Sequence, residues 1–343
     1  MLTMMPEAAG DFLVNLAERL TVHCDPALIR AMMKRACGGQ LDTRGPDGRR
    51  ASMLTISGIP FDASVTGGRG EFAPAVRYVT ETGTQETEFS SRVATQLAAI
   101  QDLVAWLPKG DETVADVLHS FVTTLYPDPA KVHARHHFAT WTGVVHNAET
   151  PHHAARLKVY GSPTIVPGTL HRLYSTWPGF AGLPSVPTHE ELIKPVFVAI
   201  EVDARGNLNH KIYLRTRYND VAVPMKLVRH FGDPAWEVLS EFVRCGVDAA
   251  ELHQHDFFVC YARGTGAPTF QLSLAVRQGN DLTGLVRELA SRHHGTTHAV
   301  DALTQAARSC RATWRYYSVG LGFSADHGID KLNVYGTPTW SAV

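Results

Sequence analysis

Residues 210–214 read His210-Lys211-Ile212-Tyr213-Leu214. In an extended chain successive side chains point to opposite faces, so Lys211 and Tyr213 share one face while Ile212 and Leu214 share the other. The pattern recurs. In Arg156-Leu157-Lys158-Val159-Tyr160, Lys158 and Tyr160 oppose Leu157 and Val159. Across residues 271–277 the polar set is Gln271, Ser273 and Arg277, and across residues 331–335 it is Lys331, Asn333 and Tyr335. One such strand is also what a solvent-facing sheet with snorkelling lysines would show. Several strands, three of them pairing a basic residue with a tyrosine, describe one shared polar face.

Working outward, each of these strands is the second member of a hairpin. The predicted pairs are 51–57 with 74–80, 136–145 with 155–161, 195–203 with 208–217, 255–263 with 268–277, and 313–323 with 330–336. Turn residues separate the members, as in Ala204-Arg205-Gly206-Asn207 and Gly264-Thr265-Gly266. Amphipathic helical patterns lie between, at 10–35, 88–106, 234–246, 281–292 and 298–311. Successive hairpins make antiparallel strands, and ten strands avoid exposed edges by closing into a barrel. The helices must cover the apolar face, which leaves the polar face as the lumen. The expected fold is therefore α+β: a single ten-stranded antiparallel barrel with a polar lumen, ringed by helices in ααββ repeats. Residues 1–343 read as one domain, with an N-terminal helical segment at 1–48 and barrel repeats at about 50–340.

Composition narrows the function. The 343 residues carry a formal charge of −1, with 44% hydrophobic and 19% charged residues, which argues against disorder and against a nucleic-acid partner. No apolar run is long enough to span a bilayer, and the first twenty residues lack a basic signal-peptide region, so a cytoplasmic protein is expected. Five scattered cysteines fit reduced thiols. The 18 histidines are numerous, but H-E-x-x-H is absent and their clusters fall in polar stretches, so no metal site is expected.

A lumen lined by lysine, arginine and tyrosine requires an anionic ligand to offset its buried charge. Phosphate or diphosphate suits it. Tyrosine hydroxyls donate to phosphate oxygens, and their ring faces stabilise a nearby cation. A diphosphate leaving group beside an aromatic shield describes allylic ionisation. No G-x-x-x-x-G-K-[ST] loop is present, and Asp111–Asp116 lacks the spacing of D-D-x-x-D, so the basic side chains would serve without magnesium.

From about residue 50 to the C-terminus the chain resembles the aromatic prenyltransferases of the dimethylallyltryptophan synthase type, the ABBA or prenyltransferase-barrel family. The resemblance rests on SGIPFDAS (57–64), AVRYVTETG (75–83), LKVYGSP (157–163), HKIYLR (210–215), PTFQLSL (268–274) and YYSVGLGFSADHGIDKLNVYG (316–336), in that order. It implies that Asp62 stands where the family has a glutamate that accepts the indole N–H. It implies diphosphate contacts at Arg77, Lys158, Lys211, Gln271 and Lys331, and a carbocation shield of Tyr160, Tyr213 and Tyr335. Trp141 is a candidate to stack on the acceptor, as well as a candidate core residue. There are departures. Asn209 stands where many members have arginine, leaving that contact missing or supplied by Arg217 or Arg277, and Ser273 stands where a tyrosine often completes the shield. Asp62 is one methylene shorter than glutamate.

The activity so implied is metal-independent transfer of a dimethylallyl group from dimethylallyl diphosphate to an indole, by electrophilic aromatic substitution. No cofactor, nucleic acid or membrane partner is expected, and a monomer is. His146 and Glu149 are candidates for the base that restores aromaticity. The alternatives are a phenolic or other electron-rich arene as acceptor, and a non-catalytic barrel that binds a phosphorylated metabolite.

Overall fold

The computed structural model describes residues 6–340 apart from 40, 46, 47, 49, 69, 135, 137, 186–190 and 277–280. The chain opens with two helices, α1 (Pro6–Arg19) and α2 (Pro26–Ala36). The single helix expected over 10–35 is broken at Thr21, whose φ is 54°. Asp25 then restarts it, its carboxylate accepting the backbone N–H of Ala27 at 2.8 Å with Pro26 at the first helical position.

The remainder alternates strand pairs and helix pairs: β1 (Phe61–Gly68), β2 (Glu71–Thr80), α3 (Phe89–Val104), α4 (Glu112–Leu125), β3 (Thr140–Asn147), β4 (Arg156–Gly161), α5 (Thr169–Thr176), α6 (Pro178–Ala181). There follow β5 (Ile193–Asp203), β6 (Leu208–Thr216), α7 (Val223–Phe231), α8 (Asp233–Arg244), β7 (Asp256–Arg263), β8 (Thr269–Ala275), α9 (Thr283–His294), α10 (His298–Ser309), β9 (Ala312–Ser324) and β10 (Gly328–Trp340). Each strand pairs antiparallel with its sequence neighbours, and β1 pairs with β10 to close a ten-stranded barrel. The five hairpin turns gather at one end, here the turn end; the links to the helices leave from the other, the helix end.

The expected strand over 51–57 is not formed. Its side chains bond locally instead: the Ser52 hydroxyl accepts the N–H of Leu54 at 3.0 Å, and Thr55 donates to the carbonyl of Ile59 at 2.7 Å. Gly58 follows at φ +85°, where a Cβ would lie 2.7 Å from the Thr43 carbonyl oxygen. The first strand therefore starts ten residues later, at Phe61. Residues 111–116 prove to be a helix start, with Asp111 accepting the N–H of Val114 at 3.0 Å. α4 and the short helices α5–α7 were not read from the sequence.

The alternation places the core. Leu157, Val159, Ile212, Leu214, Leu272 and Leu274 face outward and are buried against the helices, each contributing about 1.5–3 kcal/mol. His210 faces outward too, its ring 5.1 Å from that of Phe180 on α6. Phe12 of α1 stacks on Trp314 of β9 at 5.4 Å. The apolar core is thus a shell between barrel and helices. Among the described residues no helix is long and apolar enough to cross a membrane.

Candidate active site in the barrel lumen

The strand registers bring the inward residues of all ten strands into one lumen. On the turn-end side lie Arg77 (β2), Arg156 and Lys158 (β4), Lys211 (β6) and Lys331 (β10). Lys158 donates to the Tyr160 hydroxyl at 3.0 Å. Lys211 is held below the usual ammonium range by burial, against the pull of Glu201. Lys331 stands at the rim, exposed by area yet enclosed on most sides; that enclosure, with Arg77 and Lys211, lowers it to about 8.

Gln271 joins this group through a chain of hydrogen bonds. Arg77 Nη1 donates to Asn333 Oδ1 at 3.4 Å, and Thr66 donates to the same atom at 2.7 Å. Asn333 Nδ2 donates to Gln271 Oε1 at 2.8 Å, and Gln271 Nε2 donates to Ser273 Oγ at 2.9 Å. Arg77 and Gln271 are thereby fixed through Asn333, a residue that no site expectation included.

One step toward the helix end is a belt of aromatic rings. Tyr213 lies two residues beyond Lys211, about 7 Å along the strand. Tyr160 lies 5.7 Å from Tyr213, ring centroid to centroid, and Trp141 lies 6.1 Å from Tyr160. Tyr335 pairs in register with Ser64 on β1, which places it one step on the turn-end side of Asp62. Trp141 packs against Phe138 and Phe197 at 4.6 Å each, and its indole N–H donates to Glu81 Oε2 at 3.0 Å. Its edge is therefore committed to Glu81, and it forms part of the aromatic wall.

Beyond the belt sits Asp62, 3% exposed. Burial pushes its carboxyl up to about 7, against the hydrogen bond from Tyr317 and the charges of Lys158 and Arg77. Tyr317 reaches it because a β-bulge on β9 opposite Tyr335/Gly336 turns both Tyr317 and Ser318 inward. The hydroxyl donates to Oδ2 at 2.5 Å. The second oxygen, Oδ1, is buried and accepts no hydrogen bond of good geometry among the described residues, the backbone N–H of its register partner Val79 only helping to favour the charged carboxyl, a condition that suits a further donor from a bound ligand.

Several expectations are corrected. His146 faces out of the barrel, fully buried and stacked on Tyr78 at 5.8 Å, and burial lowers it to about 4. It cannot reach a lumenal substrate. Glu149 is exposed in the β3–β4 turn, at the opposite end from Asp62. Arg217 cannot replace the arginine missing at 209, because it lies six residues beyond Lys211 toward the helix end, about 20 Å away. Arg277 lies outside the described residues. The arginine on this part of the wall is Arg156 on β4, two strands from Asn209, 3.6 Å from Glu201, the register partner of Asn209 on the intervening β5.

Sequence reasoning also missed Glu201 on β5. It is 6% exposed, with Oε2 lying 3.0 Å from Lys211 Nζ and 3.4 Å from Lys158 Nζ, and Oε1 3.6 Å from Arg156. Those cations hold its carboxyl well below the usual range despite the burial. The signal is in the sequence: Phe197, Ala199 and Glu201 alternate inward as the second strands do, but on the first member of a hairpin. Tyr317 was harder to find, since alternation sends one of Tyr316 and Tyr317 inward without saying which. Among the described residues no three His, Cys, Asp or Glu side chains converge as a metal-binding group.

No protein-family model matches this sequence, and no curated protein sequence matches it significantly. Solved structures do match along almost the whole chain. The chain is similar to the 5-dimethylallyltryptophan synthase from Streptomyces coelicolor, with 18% identity, a TM-score of 0.69 and 98% of each chain covered. It is similar to the 6-dimethylallyltryptophan synthase from Micromonospora olivasterospora, crystallised with DMASPP and Trp, at 18% identity and TM-score 0.66 over 96% of each chain. It is also similar to the prenyltransferase PriB in its apo form, at 17% identity and TM-score 0.66 over 100% of both chains. This likeness establishes the fold as the prenyltransferase barrel.

Proposed function

We propose that the protein is an aromatic prenyltransferase that transfers a dimethylallyl group from dimethylallyl diphosphate to an indole without a metal ion. The observation that carries this reading is the order of groups along the lumen: a cluster of cations, then a belt of tyrosines, then a buried carboxylate with a free oxygen. Each zone suits one part of the reaction. Arg77, Arg156, Lys158, Lys211, Lys331 and Gln271 bind the diphosphate and stabilise the charge that develops as the C–O bond breaks. Tyr160, Tyr213 and Tyr335 face the allyl cation and exclude water. Asp62 Oδ1 accepts the acceptor's N–H, orients the ring and raises its electron density.

The bond that breaks is the donor's C–O bond, its electron pair leaving with diphosphate. The bond that forms joins the allyl carbon to a ring carbon, which then loses its proton. The overall products are the prenylated arene and a protonated diphosphate. The residues at 1–343 act here as one catalytic unit. The solved tryptophan prenyltransferases of this fold support the reading, as do the convergent lumenal side chains.

The test is incubation with dimethylallyl diphosphate, EDTA and a panel of indoles and phenols, read by mass for the gain of one prenyl group. Product from indoles is expected. Product from phenols alone would move the assignment to a phenolic acceptor, and diphosphate binding without turnover on any acceptor would overturn it.

A further inference from the structure

A carboxylate inside an anion site needs a reason. Glu201 is the one acidic side chain among the described residues in direct contact with the cations of the lumen, and it is buried there. A single oxygen takes both Lys211 and Lys158, at 3.0 and 3.4 Å. Two ammonium groups brought this close would repel, and the shared oxygen is what holds them side by side. Each keeps further donors: of the three on Lys158, one goes to the Tyr160 hydroxyl, while Glu201 meets it as an ion pair at 3.4 Å. The lysines are thus positioned by Glu201 without being used up by it.

Its neighbour across the sheet sharpens the point. Glu201 pairs in register with Asn209, whose Oδ1 is buried without a hydrogen-bond partner among the described residues. A neutral side chain at 209 leaves Glu201 to be balanced by the very lysines that face the ligand. The same negative charge that steadies the lysines therefore lies next to any phosphate they bind.

We propose that Glu201 is a positioning residue that sets product release: it holds Lys158 and Lys211 side by side and, as a like charge beside the phosphates they bind, limits how tightly free diphosphate is held. This rests on the proposed diphosphate site. Cleavage of the C–O bond leaves its electron pair on diphosphate, which gains one negative charge relative to the ester. Repulsion from a fixed carboxylate grows at that moment, while attraction to the cations grows too. A ring of cations without Glu201 would bind the more highly charged product most strongly and would turn over slowly.

The test compares wild type with Glu201→Gln by calorimetric titration with inorganic pyrophosphate at pH 7, alongside steady-state kinetics. Glu201→Gln is expected to bind pyrophosphate about tenfold more tightly, the size of effect that removing one nearby charge has at an interior dielectric of about 20–40. Donor KM and kcat are expected to fall together, with pyrophosphate becoming a stronger product inhibitor. A merely structural role would instead weaken both donor and pyrophosphate. The charge-retaining Glu201→Asp is expected to stay within about threefold of wild type for pyrophosphate. Because loss of Glu201 alone leaves extra buried positive charge, the comparison is repeated in a Lys158→Gln background, where Glu201→Gln restores the wild-type charge and is again expected to tighten pyrophosphate. Unchanged or weaker pyrophosphate binding on removing the carboxylate in either background overturns the assignment. Wild type that binds no pyrophosphate overturns the diphosphate site itself, a separate result.

Discussion

Tyr317, on the bulge of β9, donates its hydroxyl to Oδ2 of Asp62 on β1, 255 residues away in sequence, while Oδ1 is buried without a hydrogen-bond partner among the described residues. The two strands are not neighbours; β10 lies between them. The contact therefore spans the inner face of β10, and it fixes the carboxylate that the proposed mechanism uses.

Tyr317→Phe removes that bond while keeping the ring. The hydrogen bond lowers the Asp62 pKa, so its loss raises it further above about 7. Asp62 serves as the carboxylate, so wild-type activity is expected to fall as pH drops through about 7, and the variant's acid limb is expected to move to higher pH. An activity loss of about tenfold at pH 7 follows from the freed carboxylate alone. A pH–rate profile checks it; an unmoved acid limb sinks the role given to Tyr317.

Asp62 also costs stability. Its folded pKa of about 7 lies above the unfolded value near 3.8. Between those values the folded state binds more protons than the unfolded one, so the contribution of Asp62 becomes less favourable as pH rises through this window. Asp62→Asn removes the penalty. Thermal melts at pH 5 and pH 8 are expected to show the variant gaining on wild type at pH 8, by about 1–3 kcal/mol, while prenyl transfer drops about 100-fold. Equal gaps at both pH values would contradict a buried, titrating Asp62.

How much of this was legible in the sequence follows from which residues obey simple alternation. Lys158, Tyr160, Lys211, Tyr213, Gln271 and Tyr335 sit on regular second strands, and their faces could be read two residues at a time. The hairpin over 51–57 failed because Ser52 and Thr55 bond nearby backbone and the Ser52 hydroxyl also donates to the Glu81 carboxylate at 2.5 Å, choices that composition does not reveal. His146 failed because β3 sends it outward, where it stacks on Tyr78 instead of meeting a substrate. Tyr317 depends on a bulge, and a bulge breaks the two-residue period on which the reading rests.

The two ends of the lumen are separable by arginine. Arg156 stands at the turn end with Glu201, and Arg217 lies beyond the helix end. Arg156→Gln is expected to raise the donor KM about threefold to tenfold, the modest effect of a half-exposed charge. Arg217→Gln is expected to leave the donor KM within about twofold. Initial rates at saturating acceptor read both; a larger donor effect from Arg217 would reverse the polarity assigned to the barrel.

Gly320 is a small residue on the wall that Gln271 and Ser273 cover. A Cβ there would meet Ser273 Oγ at 2.3 Å and Gln271 Nε2 at 2.6 Å. Both atoms end movable side chains, so the strand itself can stay in place and the side chains must shift. Gln271 then leaves Asn333, and Asn333 loses the partner that orients its Oδ1 toward Arg77. Gly320→Ala is therefore expected to cost at most about 1–2 kcal/mol of stability, yet to raise the donor KM about tenfold by loosening Arg77 and Gln271 together. Adding Ser273→Ala removes one of the two contacts, and part of the donor affinity is expected to return. If Gly320→Ala leaves donor KM unchanged in a folded enzyme, the chain from Ser273 to Arg77 does not position the diphosphate site.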